Sequence, residues 1–145
     1  MSFVDRILYL GLERPSAPAL SVSGRIPDVV TYGALSRHIA NVCQRLKAPG
    51  IVPGKLYGLH VTDDLLYVAM TYALEYLGAG TVIVADPDRV DGWPIEGIFA
   101  TAKDREWPFA VEGVDPTWLE GNAEYLNSRD AYASAPDDLC SVSWT

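Results

Sequence analysis

Two histidines, two cysteines and a few closely spaced aspartates and glycines are the residues of this 145-residue chain whose types invite chemistry. Gly78-Ala79-Gly80 would suit a dinucleotide loop only if a strand preceded it and a helix followed. Here a helical stretch precedes and a β-branched run, Thr81 to Val84, follows, so the glycines read as the end of a helix. Asp86, Asp88 and Asp91 carry charge for a cation, but their loop lacks the glycine and distal glutamate of a calcium hand. They read as a solvated turn. Cys43 and Cys140 show no metal-ligand spacing. They read as buried thiols of a reducing cytoplasm, with a disulfide as the other option. His38 follows Arg37 on a helix flank and reads as surface, and His60 shares no pattern with it. No Ser-His-Asp or Cys-His set assembles from two histidines in separate elements. Tyr67, Tyr72, Tyr76 and Trp93 could line a pocket, but their spacings suit core or helix surface better. The expectation is therefore no catalytic residue and no metal site.

Charge narrows the partners. The net charge is −8 and the pI about 4.5, which argues against nucleic acid, since that affinity comes largely from Lys and Arg on phosphates. Residues 65–85 are long enough to span a membrane. Glu75 interrupts them, however, and Gly78-Ala79-Gly80 breaks them near the end, so a helix followed by a strand fits better. Ser2 to Arg14 holds Asp5 and Glu13 and has no long apolar core, so no signal peptide is expected.

The elements that must position these residues follow from periodicity. Phe3, Ile7 and Leu10, with Val4 and Leu8, make an apolar helical stripe that Pro15 ends. Residues 18–22 and Val29-Val30 suggest a hairpin around Ser23-Gly24. Thr31 suits the N-cap of a helix whose stripe is Leu35, Ile39, Val42 and Leu46, closed by Pro49-Gly50. A turn at 50–55 takes Gly54 at positive φ. A strand over 56–61, a helix over 64–77 capped by Thr62 or Asp63, and a strand over 81–85 form a βαβ unit, hence a parallel sheet. Ile95, Ile98, Phe99 and Ala102 follow i, i+3, i+4, i+7 after Pro94, which predicts a further helix. Glu96 near its start and Lys103 and Arg105 near its end suit the dipole, while Gly97 weakens it by about 1 kcal/mol. A strand at 109–111, a short helix over 116–126, a connector over 127–137 and a terminal strand complete the reading. The class expected is α/β, a mostly parallel sheet with helices on both faces, as one domain over 1–145.

Five segments in order carry a resemblance. Residues 14–24, RPSAPALSVSG, resemble the RPDAPAL start of adenylate-forming enzymes, the group of acyl-CoA synthetases, luciferases and peptide-synthetase adenylation domains. TYGAL at 31–35 resembles their TYGEL segment, and GIVPGK at 50–55 their GI-x-PGD turn. LEYLGAGTVIVADPD at 74–88 resembles LKAGA-x-x-VPLDP. DDLCSVSWT at 137–145 resembles the strand leading into the phosphate loop, DDLA-x-x-x-YTSGTTG. Ala34, Lys55 and Trp144 depart from the glutamate, aspartate and tyrosine usual there.

The resemblance implies an incomplete N-terminal subdomain of a larger ligase, stopping just before the Ser/Thr/Gly loop that wraps ATP phosphates. The implied reaction is adenylation of a carboxylic acid by ATP, then transfer to a thiol, with an acyl- or aryl-CoA ligase favoured. It implies ATP, Mg2+ and CoA for the whole enzyme, with none bound to this piece. Thr145 is the only residue placed toward the nucleotide. Residues 1–145 alone are expected to be inactive and to self-associate through surface that the rest of the polypeptide would cover. The alternative is a stand-alone, non-catalytic α/β interaction or regulatory module. A third reading, a small-molecule-binding domain of unrelated α/β topology, is separable by strand order.

Overall fold

The structure, a computed structural model, describes residues 2–24, 28–86, 89, 92–101, 110–126 and the backbone of 141–142. Helix α1 is Phe3–Glu13. The hydroxyl of Ser2 caps it by accepting from the Asp5 N–H at 3.1 Å. Strands β1 (Pro18–Ser21) and β2 (Val29–Thr31) pair antiparallel as the expected hairpin.

Helix α2, Tyr32–Leu46, begins where its sequence says it should: Thr31 Oγ1 accepts from the Ala34 N–H at 3.2 Å. Leu35, Ile39, Val42, Cys43 and Leu46 are buried, so the stripe seen in the sequence is the face that packs. A side chain at Gly11 would run into the hydroxyls of Ser36 and Tyr125, so glycine is what lets α1 approach α2 there.

Strand β3 (Leu56–His60), helix α3 (Asp64–Tyr76) and strand β4 (Gly80–Ile83) form the predicted unit, with β3 and β4 parallel. Asp63 caps α3, its Oδ1 accepting from Leu66 N–H at 2.8 Å. At the other end Gly78 has φ +87°. There the Gly78 N–H donates to the Glu75 carbonyl at 3.0 Å and the Ala79 N–H to Leu74 at 2.8 Å. This is the Schellman pattern, and it explains the glycines of 78–80 as a helix stop. Gly54, at φ +81°, donates to the Gly78 carbonyl at 2.8 Å, and Gly80 donates to Lys55 at 2.9 Å. The turn before β3 is thereby tied to the turn before β4.

Residues 93–100 correct the sequence reading. They do not form a helix; β5 is a strand, Gly97–Ala100. It lies inside the sheet, parallel to β3 on one side and to β6 (Val111–Gly113) on the other. An interior parallel strand is buried on both faces, so its apolar run is continuous rather than alternating. Ile98 serves one face, Phe99 the other, and Ile95 packs from the preceding loop. Together they mimic helical spacing. The strand expected at 109–111 begins at Val111, and the short helix expected over 116–126 is a single 3-10 turn, Pro116–Leu119. Pro116 and the capping Asp115 side chain favour the turn's start.

The terminal strand is present as β7, Ser141–Val142, parallel to β4. The order β6-β5-β3-β4-β7 makes one parallel sheet, apart from the hairpin. The α/β class and parallel sheet stand as expected. The larger core lies between the sheet and α1, α2 and α3. On the opposite face Val82, Val84, Ile98 and Ala100 meet Trp93 and Ile95 from the β4–β5 connection. No helix among the described residues is long and apolar enough to cross a membrane. The stretch tested for that, residues 65–85, is divided between α3 and β4, and the apolar residues of α3 pack in the main core.

Candidate functional site

In an open parallel sheet, ligands gather at the carboxyl edge where neighbouring strands send their connections in opposite directions. Here that place lies between β3 and β5: β3 leads to β4 on one side, and β5 leads to β6 on the other. Their ends bring His60, Thr62 and Thr101 together. The Thr101 N–H donates to the His60 carbonyl at 3.1 Å. The Thr101 hydroxyl donates to the same carbonyl at 3.3 Å and lies 3.3 Å from the Thr62 hydroxyl. His60 Nδ1 lies 2.7 Å from the Val84 carbonyl. A carbonyl only accepts, so Nδ1 carries the proton of this bond.

This group offers hydroxyls and an imidazole but no nucleophile–base pair. The N-terminus of α3 opens at the same edge, yet the Asp63 carboxylate already occupies it and Asp64 follows. An anion therefore finds no cradle there. Among the described residues no three His, Cys, Asp or Glu side chains could hold a metal ion. Asp86 lies 3.9 Å from Arg89 across exposed side chains; Asp88 and Asp91 fall outside the described residues. Thr145 also lies outside them. The β7 strand that leads toward it pairs with β4, so its carboxyl end points to this same edge.

The remaining candidates are structural. Cys43 is buried, and burial pushes its thiol up to about 12, against a smaller opposing pull from Lys47. Cys140 is outside the described residues. Tyr67, Tyr72 and Tyr76 are half-buried against the main core, and Trp93 packs on the other face. Tyr72 also lines a groove of about 350 Å³ with Phe3, Arg6, Leu20, Tyr32 and Val68.

His38 corrects the reading of it as surface. It is half-buried, and its Nδ1 lies 3.0 Å from the Leu119 carbonyl. Asn41, one turn on, donates to the same carbonyl at 2.9 Å and accepts from the Ala123 N–H at 3.1 Å. The sequence reading missed Asn41, and it also missed the Glu75 carboxylate that reaches α1. A polar residue at a core position of an otherwise apolar helix stripe is the signal that could have flagged either one. The signal for His60 was weaker: it ends a strand two residues before the helix cap.

No family model and no curated relative matches the sequence. Solved structures do match. The nonribosomal peptide synthetase FmoA3 in its AMPPNP-bound form matches with TM-score 0.68 at 20% identity, over 93% of this chain and 15% of its own. VinN matches with TM-score 0.72 at 20% identity, over 97% of this chain and 41% of its own. The N-terminal subdomain of Klebsiella oxytoca NpsA, in complex with 3-hydroxybenzoyl-AMSN, matches with TM-score 0.66 at 17% identity, over 87% of this chain and 35% of its own. The chain thus spans less than half the length of these proteins and shares the fold of that part. This sets aside the reading of an unrelated α/β topology.

Proposed function

We propose that this chain is the N-terminal part of an adenylate-forming ligase, with residues 1–145 as one α/β domain and Thr145 at the edge of its phosphate loop. The observation that carries the reading is where the resembling segments fall in the fold. TYGAL is the β2–α2 junction, with Thr31 as the cap. GIVPGK is the turn whose Gly54 bonds to Gly78, and LEYLGAG is the Schellman stop that Gly78 forms. Two of the segments, 50–55 and 74–88, are joined directly, since Gly54 donates to the Gly78 carbonyl and Gly80 to the Lys55 carbonyl. The fold likeness to FmoA3, VinN and NpsA supports the same reading.

In the whole enzyme, a carboxylate oxygen would attack the α-phosphorus of ATP and pyrophosphate would leave. A thiol sulfur would then attack the acyl carbon and AMP would leave. ATP use gains support from the AMPPNP-bound neighbour. Both CoA and a carrier's phosphopantetheine suit the second step, and the peptide-synthetase neighbours give the carrier as much support as CoA. Among the described residues no three His, Cys, Asp or Glu side chains converge, and no step is assigned to Mg2+ on this chain. Its own contribution is a scaffold: it sets β7 beside β4 and so aims the segment after Val142 at the carboxyl edge. A cytoplasmic setting agrees with the buried Cys43 thiol.

The test is ATP–pyrophosphate exchange by residues 1–145 with a panel of small fatty, aryl and amino acids. The expected result is exchange no higher than the blank. Exchange above the blank would overturn the assignment of the chemistry to later residues.

A further inference from the structure

Residues four apart share a face of a helix. Arg6 and Leu10 do so on α1, and Val68 and Tyr72 do so on α3; the two rows line one groove of about 350 Å³. Strand β1 adds Leu20 to its lining and the start of α2 adds Tyr32. Ile7 and Leu35 are buried at its floor. Leu10, Leu20 and Val68 are half-buried, so the apolar lining of the groove is continuous with the main core.

Three polar groups interrupt that lining: the Arg6 guanidinium and the hydroxyls of Tyr32 and Tyr72. Among the described residues neither hydroxyl has a hydrogen-bond partner and Arg6 has no ion pair. Burial raises the pKa of Tyr72, with smaller pushes from Glu75 and Tyr32, so this phenol keeps its proton as a donor. Glu75 itself is engaged by the Phe3 N–H at 3.1 Å. An apolar cleft with a few convergent polar groups and a perturbed titratable residue is the usual form of a small-molecule site.

The lining also selects the ligand. Arg6 only donates and both phenols can donate, so the polar end of a ligand must accept. Arg6 is cationic, and a carboxylate matches its planar fork in charge and in shape. Tyr32, Tyr72 and the aliphatic wall suit a flat ring. We propose that this groove binds a small aromatic monocarboxylate, its carboxylate at Arg6 and its ring between Leu10, Leu20 and Val68. None of the lining residues comes from β3 to β7, so the site is separate from the carboxyl edge and does not depend on the ligase reading.

The test is a titration of the isotope-labelled chain with cinnamate at neutral pH, followed by amide chemical shifts. Shifts at Leu10, Leu20, Val68 and Tyr72 should saturate together, with a Kd on the order of 1 mM. Cinnamyl alcohol, which keeps the ring and lacks the charge, should bind about tenfold more weakly. Arg6→Gln should weaken cinnamate about tenfold and leave the alcohol unchanged; Arg6 is exposed, so the fold is not at stake. Tyr72→Phe keeps the ring and should weaken cinnamate about threefold or more. No saturable shift up to about 20 mM would overturn the proposal. So would shifts centred on His60, Thr62 and Thr101 instead, or wild-type affinity for cinnamate in either variant.

Discussion

The Glu75 carboxylate, at the end of α3, accepts the backbone N–H of Phe3 at 3.1 Å across 72 residues of sequence. It thus gives one of the unpaired N–H groups at the N-terminus of α1 an acceptor from another helix. Glu75 is 7% exposed. Burial raises its pKa above the usual 4.5, and N–H bonds from Val4 and Phe3 pull it back only partway.

A pH signature follows. The folded chain holds the Glu75 proton more tightly than the unfolded chain does. The contribution of this group is therefore full below the unfolded pKa and is lost as pH rises through the folded one. Urea unfolding of wild type and Glu75→Gln between about pH 4 and pH 8 should show the wild-type advantage shrinking as pH rises. A constant gap, or one that widens with pH, would contradict this account of Glu75.

Asn41 joins α2 to the segment after the 3-10 turn through two bonds, to Leu119 and Ala123. Asn41→Ala leaves the Ala123 N–H without this acceptor and removes one donor from Leu119. The expected loss is about 1–3 kcal/mol, read from the urea midpoint at unchanged slope. Faster amide exchange should accompany it at Ala123. A variant as stable as wild type would show that the clamp adds nothing.

Gly78 sits at φ +87°, where a side chain meets the following carbonyl. Gly78→Ala should lower stability by about 1–2 kcal/mol. Gly33, at the start of α2, has no positive φ; there a Cβ would press on Pro15 at 3.0 Å, so substitution acts by crowding instead. Thermal melts of Gly78→Ala read the first effect; an unchanged midpoint would count against the Schellman assignment.

Much of this fold was legible because local and tertiary demands agree in its helices. Thr31, Asp63 and Gly78 are caps by chemistry and caps in fact. The stripe of Leu35, Ile39, Val42 and Leu46 is read from spacing alone and is the face that packs. Residues 93–100 were misread for a physical reason. A strand buried on both faces loses the alternation that marks strands, and its neighbour Ile95 completed a helical period by coincidence. The carboxyl-edge group was not legible. His60, Thr62 and Thr101 meet only because β3 and β5 are adjacent, and that adjacency is a property of strand order, not of local sequence. Asn41 and Glu75 were missed for a related reason, since their partners lie 78 and 72 residues away.

The ligase assignment meets its most direct test in the coding sequence that follows codon 145. The account predicts that it continues as Ser-Gly-Thr-Thr-Gly or close to it, so that β7 delivers a phosphate loop to the carboxyl edge beside β4. A stop codon directly after Thr145, or a continuation without such a loop, would contradict it. The non-catalytic interaction module would then be the reading to pursue.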